Sequence, residues 1–355
     1  MNLSIAELEQ FSIQCLLSVG LSERDARISA GVLVTTDSWG VHTHGTKNLR
    51  GYIRRLKAGG LMAQAQAAIE RDGPAWAIVN AHSTLAMVSS TFAMDTAIQK
   101  ARATGMGYVG VHNACHFGAA GVYAAQAAKQ GLIGIAMAND TPSVSIPGST
   151  VAVLGSNPLA IAIPSSEPFP IMLDIATSTV AGGKVFQAAS EGRSIPEGWI
   201  IDHEGKPATD PSIFPRKASL TPMSAHKGYG IALWIEALSS ILTGAAIAQH
   251  VLSWSFDNPS LSTNHGAAFM AIDVGSMMPL DHFRNRVAEL IRQIREAPRA
   301  AGVERLFLPG EREWIHHQEA SRHGIALPAD ALAQLSRLSE ELAIPLSVGT
   351  HSRAG

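Results

Sequence analysis

The central part of the chain is built from short apolar segments that glycine, proline and asparagine interrupt. Segments of this length and composition are typical of buried β-strands. Helical patterns separate only some of them, at 84–105 and 118–129, so a mixed sheet is expected rather than an all-parallel one. The predicted strands are "WAIVNA" (76–81), "GYVGVHNA" (107–114), "GLIGIAMAN" (131–139), "GSNPLAIAIPS" (155–165), "PIMLDIATS" (170–178) and "HGAAFMAIDV" (265–274).

Both ends of the chain have the spacing of amphipathic helices. Ser4 and Glu7 form a capping-box pattern, and the pair Gly59–Gly60 ends a helix predicted over 46–58. Helical patterns return after residue 281. The sequence therefore predicts an α/β fold in three parts. These are an N-terminal helical part (1–74), an α/β domain (75–280) and a C-terminal helical part (281–355) that returns to the first.

Composition excludes several classes of protein. Apolar residues make up 46% of the 355 positions, charged residues 16%, and the net charge is −2. Such a chain can bury a large core, and nothing in its charge favours a nucleic acid or an anionic membrane as partner. Cys15 and Cys115 form no disulfide framework. With no signal peptide and no apolar stretch of about 18 residues, we predict a cytoplasmic protein without a membrane span.

The segment "GMGYVG" (105–110) matches the GxGxxG pattern of Rossmann-type dinucleotide sites. That pattern works when a strand precedes the glycines and a helix follows, because the helix N-terminus then holds the pyrophosphate. Here the predicted order is reversed. We interpret these glycines as a helix stop followed by close backbone packing.

Histidines are the first candidates for chemistry. His42 and His44 flank one threonine in "VHTHGTKNLRGY", and His116 follows a predicted strand in "NACHFGAAG". One of them can carry a proton near neutral pH, or the three can bind a metal. A capping or buried structural histidine is the alternative for His116. Residue type alone leaves these readings open.

Polar residues in the loops between the apolar segments are candidates for ligand binding. Asn139, Asp140 and Asn157 lie in turn-rich loops, where turn formation alone also explains them. Asp174 is followed by small residues that let a ligand approach the backbone. Lys227 lies at a glycine-flanked helix entry suited to a phosphate or carboxylate, although a solvated surface lysine is equally compatible with the pattern.

Taken together, these segments resemble the malate/L-lactate dehydrogenase family, which also contains sulfolactate, ureidoglycolate and diketogulonate dehydrogenases and the piperideine- and pyrroline-2-carboxylate reductases. The resemblance covers about residues 5–335. It implies a non-Rossmann domain that binds NAD or NADP, flanked by a helical domain built from both chain ends, and a homodimer. The motifs, in order, are "THGTKNL", "CHFGAAGVYAAQAAKQGLIGIAMAN", "VLGSNPLAIAIP", "LDIATSTVAGGKV", "PEGWIIDHEGKPATDP", "HKGYGIAL" and "LPGERE".

The resemblance also implies roles for individual residues. His44 matches the proton-transfer histidine, Thr43 holds the place of a hydroxyl residue, and His116 orients the substrate oxygen, although either histidine is a candidate acid/base. His42 becomes a packing or rim residue, and no metal is expected, since a bare HxH pattern is weak. The expected cofactor-binding residues are Asp140, Asn157, Asp174, Ile175, Ala176, His226, Lys227, Gly310, Glu311 and Arg312.

One departure from the family pattern affects the substrate. Asn48 stands where the family commonly has an arginine that clamps the substrate carboxylate. On a continuous helix, Asn48 and Tyr52 share a face with His44, and Lys47 lies near it. We therefore expect Lys47, Asn48 and Tyr52 to contact the substrate.

These observations predict hydride transfer between a nicotinamide cofactor and a small 2-hydroxy or 2-oxo acid. A cyclic imine carboxylate or a ureidoglycolate-type compound is the alternative substrate. Two other classes of protein remain open. One is a non-catalytic NAD(P)-binding sensor, and the other is a metal-dependent hydrolase that uses His42, His44 and His116.

Overall fold

The computed structural model describes residues 2–346. Met1 and residues 347–355, the end of the predicted C-terminal part, lie outside it. The helices are α1 (Ile5–Ser18), α2 (Glu23–Ser38), α3 (Leu49–Ala58), α4 (Ala86–Thr104), α5 (Ala120–Lys129), α6 (Gly182–Ser190), α7 (His226–Glu236), α8 (Leu280–Glu296), α9 (Glu311–His323) and α10 (Ala329–Leu342). The strands are β1 (Asn2–Leu3), β2 (Ala68–Asp72), β3 (Trp76–Asn80), β4 (Met106–Ala114), β5 (Leu132–Ala138), β6 (Val144–Ser145), β7 (Ala152–Leu154), β8 (Leu159–Ile163), β9 (Ile171–Ile175), β10 (Ile200–Asp202), β11 (Pro207–Ala208), β12 (Ala218–Leu220), β13 (His265–Asp273) and β14 (Ile325–Ala326).

A seven-stranded sheet forms the centre of the molecule, in the order β2-β3-β4-β13-β5-β8-β9. Only β3 and β4 pair in parallel, and every other neighbouring pair is antiparallel. The predicted mixed sheet is therefore confirmed. Strand β13, which comes near the end of the α/β part in sequence, lies between β4 and β5. The chain therefore returns to the middle of the sheet after the segment between β9 and β13.

Glycines let helices pack closely on both faces of this sheet. Gly105 ends α4 with φ +88°, and β4 follows at once, so the helix precedes the strand as expected for "GMGYVG". A Cβ at Gly107 would overlap the Ala97 carbonyl of α4, and one at Gly110 would lie 2.6 Å from Thr243 Cγ2 on the opposite face. These glycines have a packing role rather than the geometry of a Rossmann phosphate loop.

A second, five-stranded sheet lies beside the first, in the order β11-β10-β12-β6-β7. The segment "DHEGKP" (202–207) connects its β10–β11 antiparallel pair. The strands β6, β7 and β12 are two or three residues long, too short to show an alternating pattern in the sequence. Apolar side chains of β6, β10 and β12 form a separate small core with α6.

The N-terminal helices have the predicted caps, but the third begins later than expected. Ser4 and Glu7 form the full capping box, and Gly59 ends α3 in the left-handed region. Residues 42–48 instead form two short 3-10 turns around an extended Gly45. A Cβ at Gly45 would overlap the buried Asp37 carboxylate, which accepts a hydrogen bond from the Thr46 N–H. The chain is therefore drawn onto Asp37 and cannot continue as a helix.

This turn corrects one expectation. His44, Asn48 and Tyr52 do not share one helix face, because His44 lies before the extended Gly45 and Asn48 is the residue preceding α3. The apolar chain over 226–245 is also not one regular helix. It is α7 up to Glu236, followed by one π-helical segment at Ala237–Ile241.

The C-terminal helices return to the N-terminal ones. Helix α9 packs against α2, α10 packs against α3, and β14 pairs with β1. Helix α8 instead covers Phe169 and Ile171 at the edge of the α/β part, and β2 belongs to the central sheet. A helical unit built from both ends is thus present, while the boundaries at 74/75 and 280/281 stay predictions. Between residues 2 and 346, no helix combines the length and apolarity that a bilayer crossing requires.

Candidate active site

The turn at residues 42–44 presents His44 next to Thr43. The Thr43 Oγ1 lies 2.9 Å from the His44 Nδ1. The Asn48 amide donates to the Thr43 carbonyl at 3.0 Å, and α6 packs on the other side, where a Cβ at Gly183 would lie 2.7 Å from Thr43 Cγ2. Thr43, the neighbour of His44, is therefore held between Asn48, which precedes α3, and Gly183 of α6. These contacts fix the position of His44.

His42 faces a different partner. Its Nδ1 lies 2.9 Å from Oδ1 of the buried Asp37, whose Oδ2 accepts from the Thr46 hydroxyl at 2.6 Å. The two histidines of the HxH pattern thus have different partners, Asp37 for His42 and Thr43 for His44. Within the described part of the chain, no three histidine, cysteine, aspartate or glutamate side chains are grouped so as to hold a metal ion.

His116 brings four aromatic rings together. Its ring centroid lies 5.5 Å from that of His44 and 4.7 Å from that of Trp254, and both pairs are stacked. Its Nδ1 lies 2.6 Å from the Tyr52 hydroxyl. Tyr52 and Trp254 also stack on each other, with centroids 5.1 Å apart. The structure therefore unites the two histidines that the sequence proposed as alternative acid/base groups.

Burial keeps both rings neutral. It lowers the pKa of His44, and it lowers the pKa of His116 to about 3, with the adjacent His44 adding to that effect. The negative charge of Asp140 raises the pKa of both rings and opposes the effect of burial. Asp140 is thus placed to compensate an imidazolium when one forms.

Asp140 is held by Asn157, which the sequence analysis singled out, and by His265, which it did not. Its Oδ1 lies 3.2 Å from Nε2 of the buried His265, which opens β13, and its N–H donates to Asn157 Oδ1 at 3.1 Å. Burial is the largest single effect on Asp140 and would raise its pKa. The hydrogen bond from His265, the electrostatic effects of His265 and His116, and the hydrogen bond from the Thr141 N–H together outweigh burial and lower the pKa. Two functional candidates, His265 and Trp254, were missed. His265 is the first residue of a predicted apolar strand, a position that could have indicated a site residue. Trp254 lies in an irregular segment, where the sequence gives no such indication.

Three of the expected cofactor residues, Asp174, Ile175 and Ala176, lie at the end of β9 and directly after it. Asp174 is exposed on this strand, and its Oδ2 accepts from the Gly121 N–H at 2.8 Å. Ile175 ends the strand and Ala176 follows. The carbonyl of Thr177 then accepts from the Met223 N–H at 2.8 Å. This contact brings the end of β9 to the chain that enters α7.

The N-terminus of α7 carries the exposed side chains of His226 and Lys227. Ser224 and Ala225, which precede them, both have positive φ and line a groove of about 570 Å³. A helix N-terminus with a lysine at the rim of a groove suits a phosphate group. The donors present here therefore fit the pyrophosphate of a dinucleotide.

The "LPGERE" segment reaches the other end of β9. The Pro309 carbonyl accepts from the Met172 N–H at 3.1 Å, and Gly310, with φ +85°, packs against Met172. The Glu311 carboxylate is buried and engaged with Arg295, Arg305 and the Leu308 N–H. The Arg312 guanidinium lies 4.8 Å from the Phe307 ring centroid. Gly310 thus borders β9, while the carboxylate of Glu311 has partners within the protein.

The three expected substrate contacts also have partners in the protein. The Lys47 ammonium lies 3.0 Å from the Asp330 carboxylate on α10. The Asn48 amide binds the Thr43 carbonyl, and the Tyr52 hydroxyl binds His116. The structure brings Asn48 and Tyr52 beside the histidine pair through these contacts, and Lys47 is held toward α10.

Comparison with known proteins supports one family. The family model described as malate/L-lactate dehydrogenase matches residues 3–336. A malate dehydrogenase from Pyrococcus abyssi is 34% identical and aligns over 95% of this chain and 94% of its own length. An L-sulfolactate dehydrogenase from Methanothermobacter thermautotrophicus is 35% identical over 98% of this chain and 99% of its own. The crystal structure of malate dehydrogenase from Entamoeba histolytica superposes with a TM-score of 0.93 at 33% identity, covering 98% and 99% of the two chains.

Relatives with other names extend the same group. An Escherichia coli (strain K12) protein named ureidoglycolate dehydrogenase (NAD(+)) is 32% identical over 93% of both chains. A Δ1-pyrroline-2-carboxylate/Δ1-piperideine-2-carboxylate reductase from Pseudomonas putida is 31% identical over 90% of this chain and 91% of its own. The resemblance read from the sequence is confirmed: the chain belongs to the malate/L-lactate dehydrogenase family and is an oxidoreductase.

Proposed function

We propose that the protein transfers hydride between NAD or NADP and a small 2-hydroxy or 2-oxo acid, with His44 as the proton carrier. The observation that carries this proposal is the stacked pair of neutral, half-buried imidazoles, His44 and His116, beside the carboxylate of Asp140. Such a pair offers one ring for proton exchange and one for hydrogen bonding at a reacting carbonyl. The names of the relatives support a small carboxylate as the substrate.

A nicotinamide cofactor fits the groups along β9. The helix N-terminus and Lys227 suit its pyrophosphate, and the Asp174 carboxylate suits ribose hydroxyl groups. The bound cofactor would supply the hydride or accept it. One relative is named as an NAD(+) enzyme.

Residues of the chain then transfer the proton and stabilise the charges that develop. In the direction of reduction, His44 takes up a proton and delivers it to the substrate oxygen as negative charge develops there. His116 donates a hydrogen bond to the same atom, and Thr43 holds the His44 ring through Nδ1. Asp140 stabilises the imidazolium, since its charge raises the pKa of His44.

The experiment that tests this function is a substrate panel. Purified protein is mixed with NADH or NADPH and with pyruvate, oxaloacetate, sulfopyruvate and cyclic imine carboxylates, and the loss of nicotinamide absorbance is followed. Oxidation with at least one of these compounds is expected. Tight NADH binding with no turnover of any of these compounds would favour a non-catalytic sensor. The feature that supports a sensor is Asn48, which stands where the family commonly has an arginine.

We infer further that the protein forms a homodimer through α7 and the π-helical segment after it. Trp234 is 70% exposed, Ile241 58% and Leu242 53%. Exposed apolar side chains grouped in this way mark a surface that contacts another protein. Because the resemblance to the family implies a homodimer, we infer that this surface contacts a second copy of the chain.

A charged side chain in this patch is expected to dissociate the dimer. Trp234→Glu would bury an unpaired carboxylate at the interface and yield monomers at micromolar concentration in sedimentation equilibrium. The matched control is Leu290→Glu on α8, whose native side chain is 55% exposed on another surface. A monomeric wild-type protein, or equal dissociation in both variants, would contradict this assignment.

A further inference from the structure

Tyr52 has a defined role as a hydrogen-bond donor. Its side chain is 1% exposed, and burial raises the pKa of the phenol well above its usual value, so the group is neutral near pH 7. A buried neutral hydroxyl needs an acceptor for its proton. In the described part of the chain, the hydroxyl has a single hydrogen-bond partner, the His116 Nδ1 at 2.6 Å.

This contact determines the tautomer of His116. If the Tyr52 hydroxyl donates to Nδ1, that nitrogen carries no proton, and the neutral ring holds its proton on Nε2. Across residues 2–346, no protein group forms a hydrogen bond with the His116 Nε2. The Nε2–H is therefore left available as a donor for an oxygen atom of the substrate.

The orientation of the ring is set by the same helix. Trp254 stacks on His116, and a Cβ at Gly51 of α3 would lie 3.0 Å from Trp254 Cζ3. Arg55, one turn after Tyr52, is 1% exposed and donates to the carbonyl of Trp254 at 2.6 Å. Its other nitrogens donate at 2.8 Å to the carbonyls of Ser253 and Leu261. Helix α3 thus holds both the donor and the ring that stacks on His116.

We propose that Tyr52 is a positioning residue that locks His116 as the neutral Nε2–H tautomer, with Trp254 holding the ring plane, so that His116 donates a hydrogen bond and exchanges no proton. This inference rests on the proposed function and deepens it. It moves Tyr52 from the predicted substrate contacts to a role that acts through His116. It also leaves His44 as the one proton carrier of the pair.

The tautomer can be read directly by NMR. In ¹⁵N-histidine-labelled wild-type protein, with the His116 signals assigned by their loss in His116→Gln, Nδ1 is expected to be pyridine-like and Nε2 pyrrole-like. The pattern should stay unchanged from pH 8 to pH 5, because burial lowers the pKa of His116 to about 3. In Tyr52→Phe, the two nitrogen signals should move toward each other as the tautomers mix.

Two spectral results would overturn the proposal. One is a protonated Nδ1 in the wild-type protein, and the other is an unchanged His116 signature in Tyr52→Phe. The wild-type spectrum decides the tautomer even where the variant does not fold. The wild-type spectrum also reports the tautomer if no substrate is turned over. A failure of this inference is therefore distinguishable from a failure of the proposed function.

Kinetics give a second readout. Tyr52→Phe is expected to lower kcat about tenfold, the effect of one lost hydrogen bond, with no change in the apparent pKa of the pH profile. An upward shift of that pKa would identify His116 as the titrating acid and overturn the proposal. The matched control is Tyr108→Phe. This variant also loses a hydrogen bond from a tyrosine hydroxyl, to the Leu238 carbonyl. Tyr108 lies roughly 20 Å along β4 from Ala114, the end of the strand that leads to His116.

Discussion

Replacing His44 with glutamine is expected to lower kcat by about 10²–10⁴-fold while nicotinamide binding is retained. General acid/base catalysis by a placed side chain typically contributes a factor of this size. Glutamine keeps a polar group beside Thr43 but cannot take up and deliver a proton near neutral pH. In residues 2–346, the His44 ring has no hydrogen bond to Asp174 or Lys227, the groups proposed to hold the ribose and the pyrophosphate. Turnover is measured by nicotinamide absorbance and binding by NADH fluorescence.

The control for this substitution is present in the same turn. His42→Gln changes the same residue type two positions earlier, where Nδ1 contacts Asp37. It is expected to lower kcat less than about tenfold, because only a structural hydrogen bond is perturbed. Full activity of His44→Gln, or equal losses in the two variants, would remove His44 from the reaction. Loss of NADH binding in His44→Gln would instead assign it to the cofactor.

The second large effect concerns stability. Arg55→Met is expected to lower the free energy of unfolding by about 3–5 kcal/mol, because three carbonyl groups in the segment that carries Trp254 lose a charged donor. Each hydrogen bond to a charged group contributes about 1.5–3 kcal/mol, and part of this is recovered when the desolvation of the guanidinium disappears. Urea denaturation followed by tryptophan fluorescence measures the change.

Arg54 supplies the comparison for that measurement. It precedes Arg55 on α3, is exposed, and has one long contact of 3.4 Å to the Ser255 carbonyl. Arg54→Met is therefore expected to change the free energy of unfolding by no more than about 0.5 kcal/mol. If Arg55→Met costs less than about 1 kcal/mol, the segment is held by other contacts, and the account of α3 as the support of Trp254 is wrong.

Local pattern was sufficient to predict most of the sheet. The six apolar segments read from the sequence became strands, and Ser4 with Glu7 formed the capping box, since these signals act over a few residues. The reversed order of helix and strand at Gly105 was also readable. By contrast, β2 shows no burial pattern, because all five of its residues are exposed at the edge of the sheet.

Tertiary contacts decided what local pattern could not. The chain at 42–48 leaves the predicted helix because Asp37, on the preceding helix, binds Thr46. Trp254 reaches His116 because Arg55 holds its segment, a contact between residues 199 positions apart. The sequence identified both histidines of the pair. It could not reveal that Tyr52 faces His116 rather than solvent, since that depends on where α3 begins.

The measurement that tests the central claim most directly is the pH dependence of a single turnover. Enzyme-bound NADH is mixed with an accepted 2-oxo acid between pH 5 and pH 9. Burial lowers the pKa of His44, so the ring is neutral at pH 7 and must gain a proton to act as the acid. The wild-type rate is therefore predicted to rise about tenfold for each unit of falling pH above that pKa, whereas the rate of His44→Gln should be low and independent of pH. A wild-type rate that is flat or falls as the solution becomes more acidic, or the same profile in His44→Gln, would contradict the account.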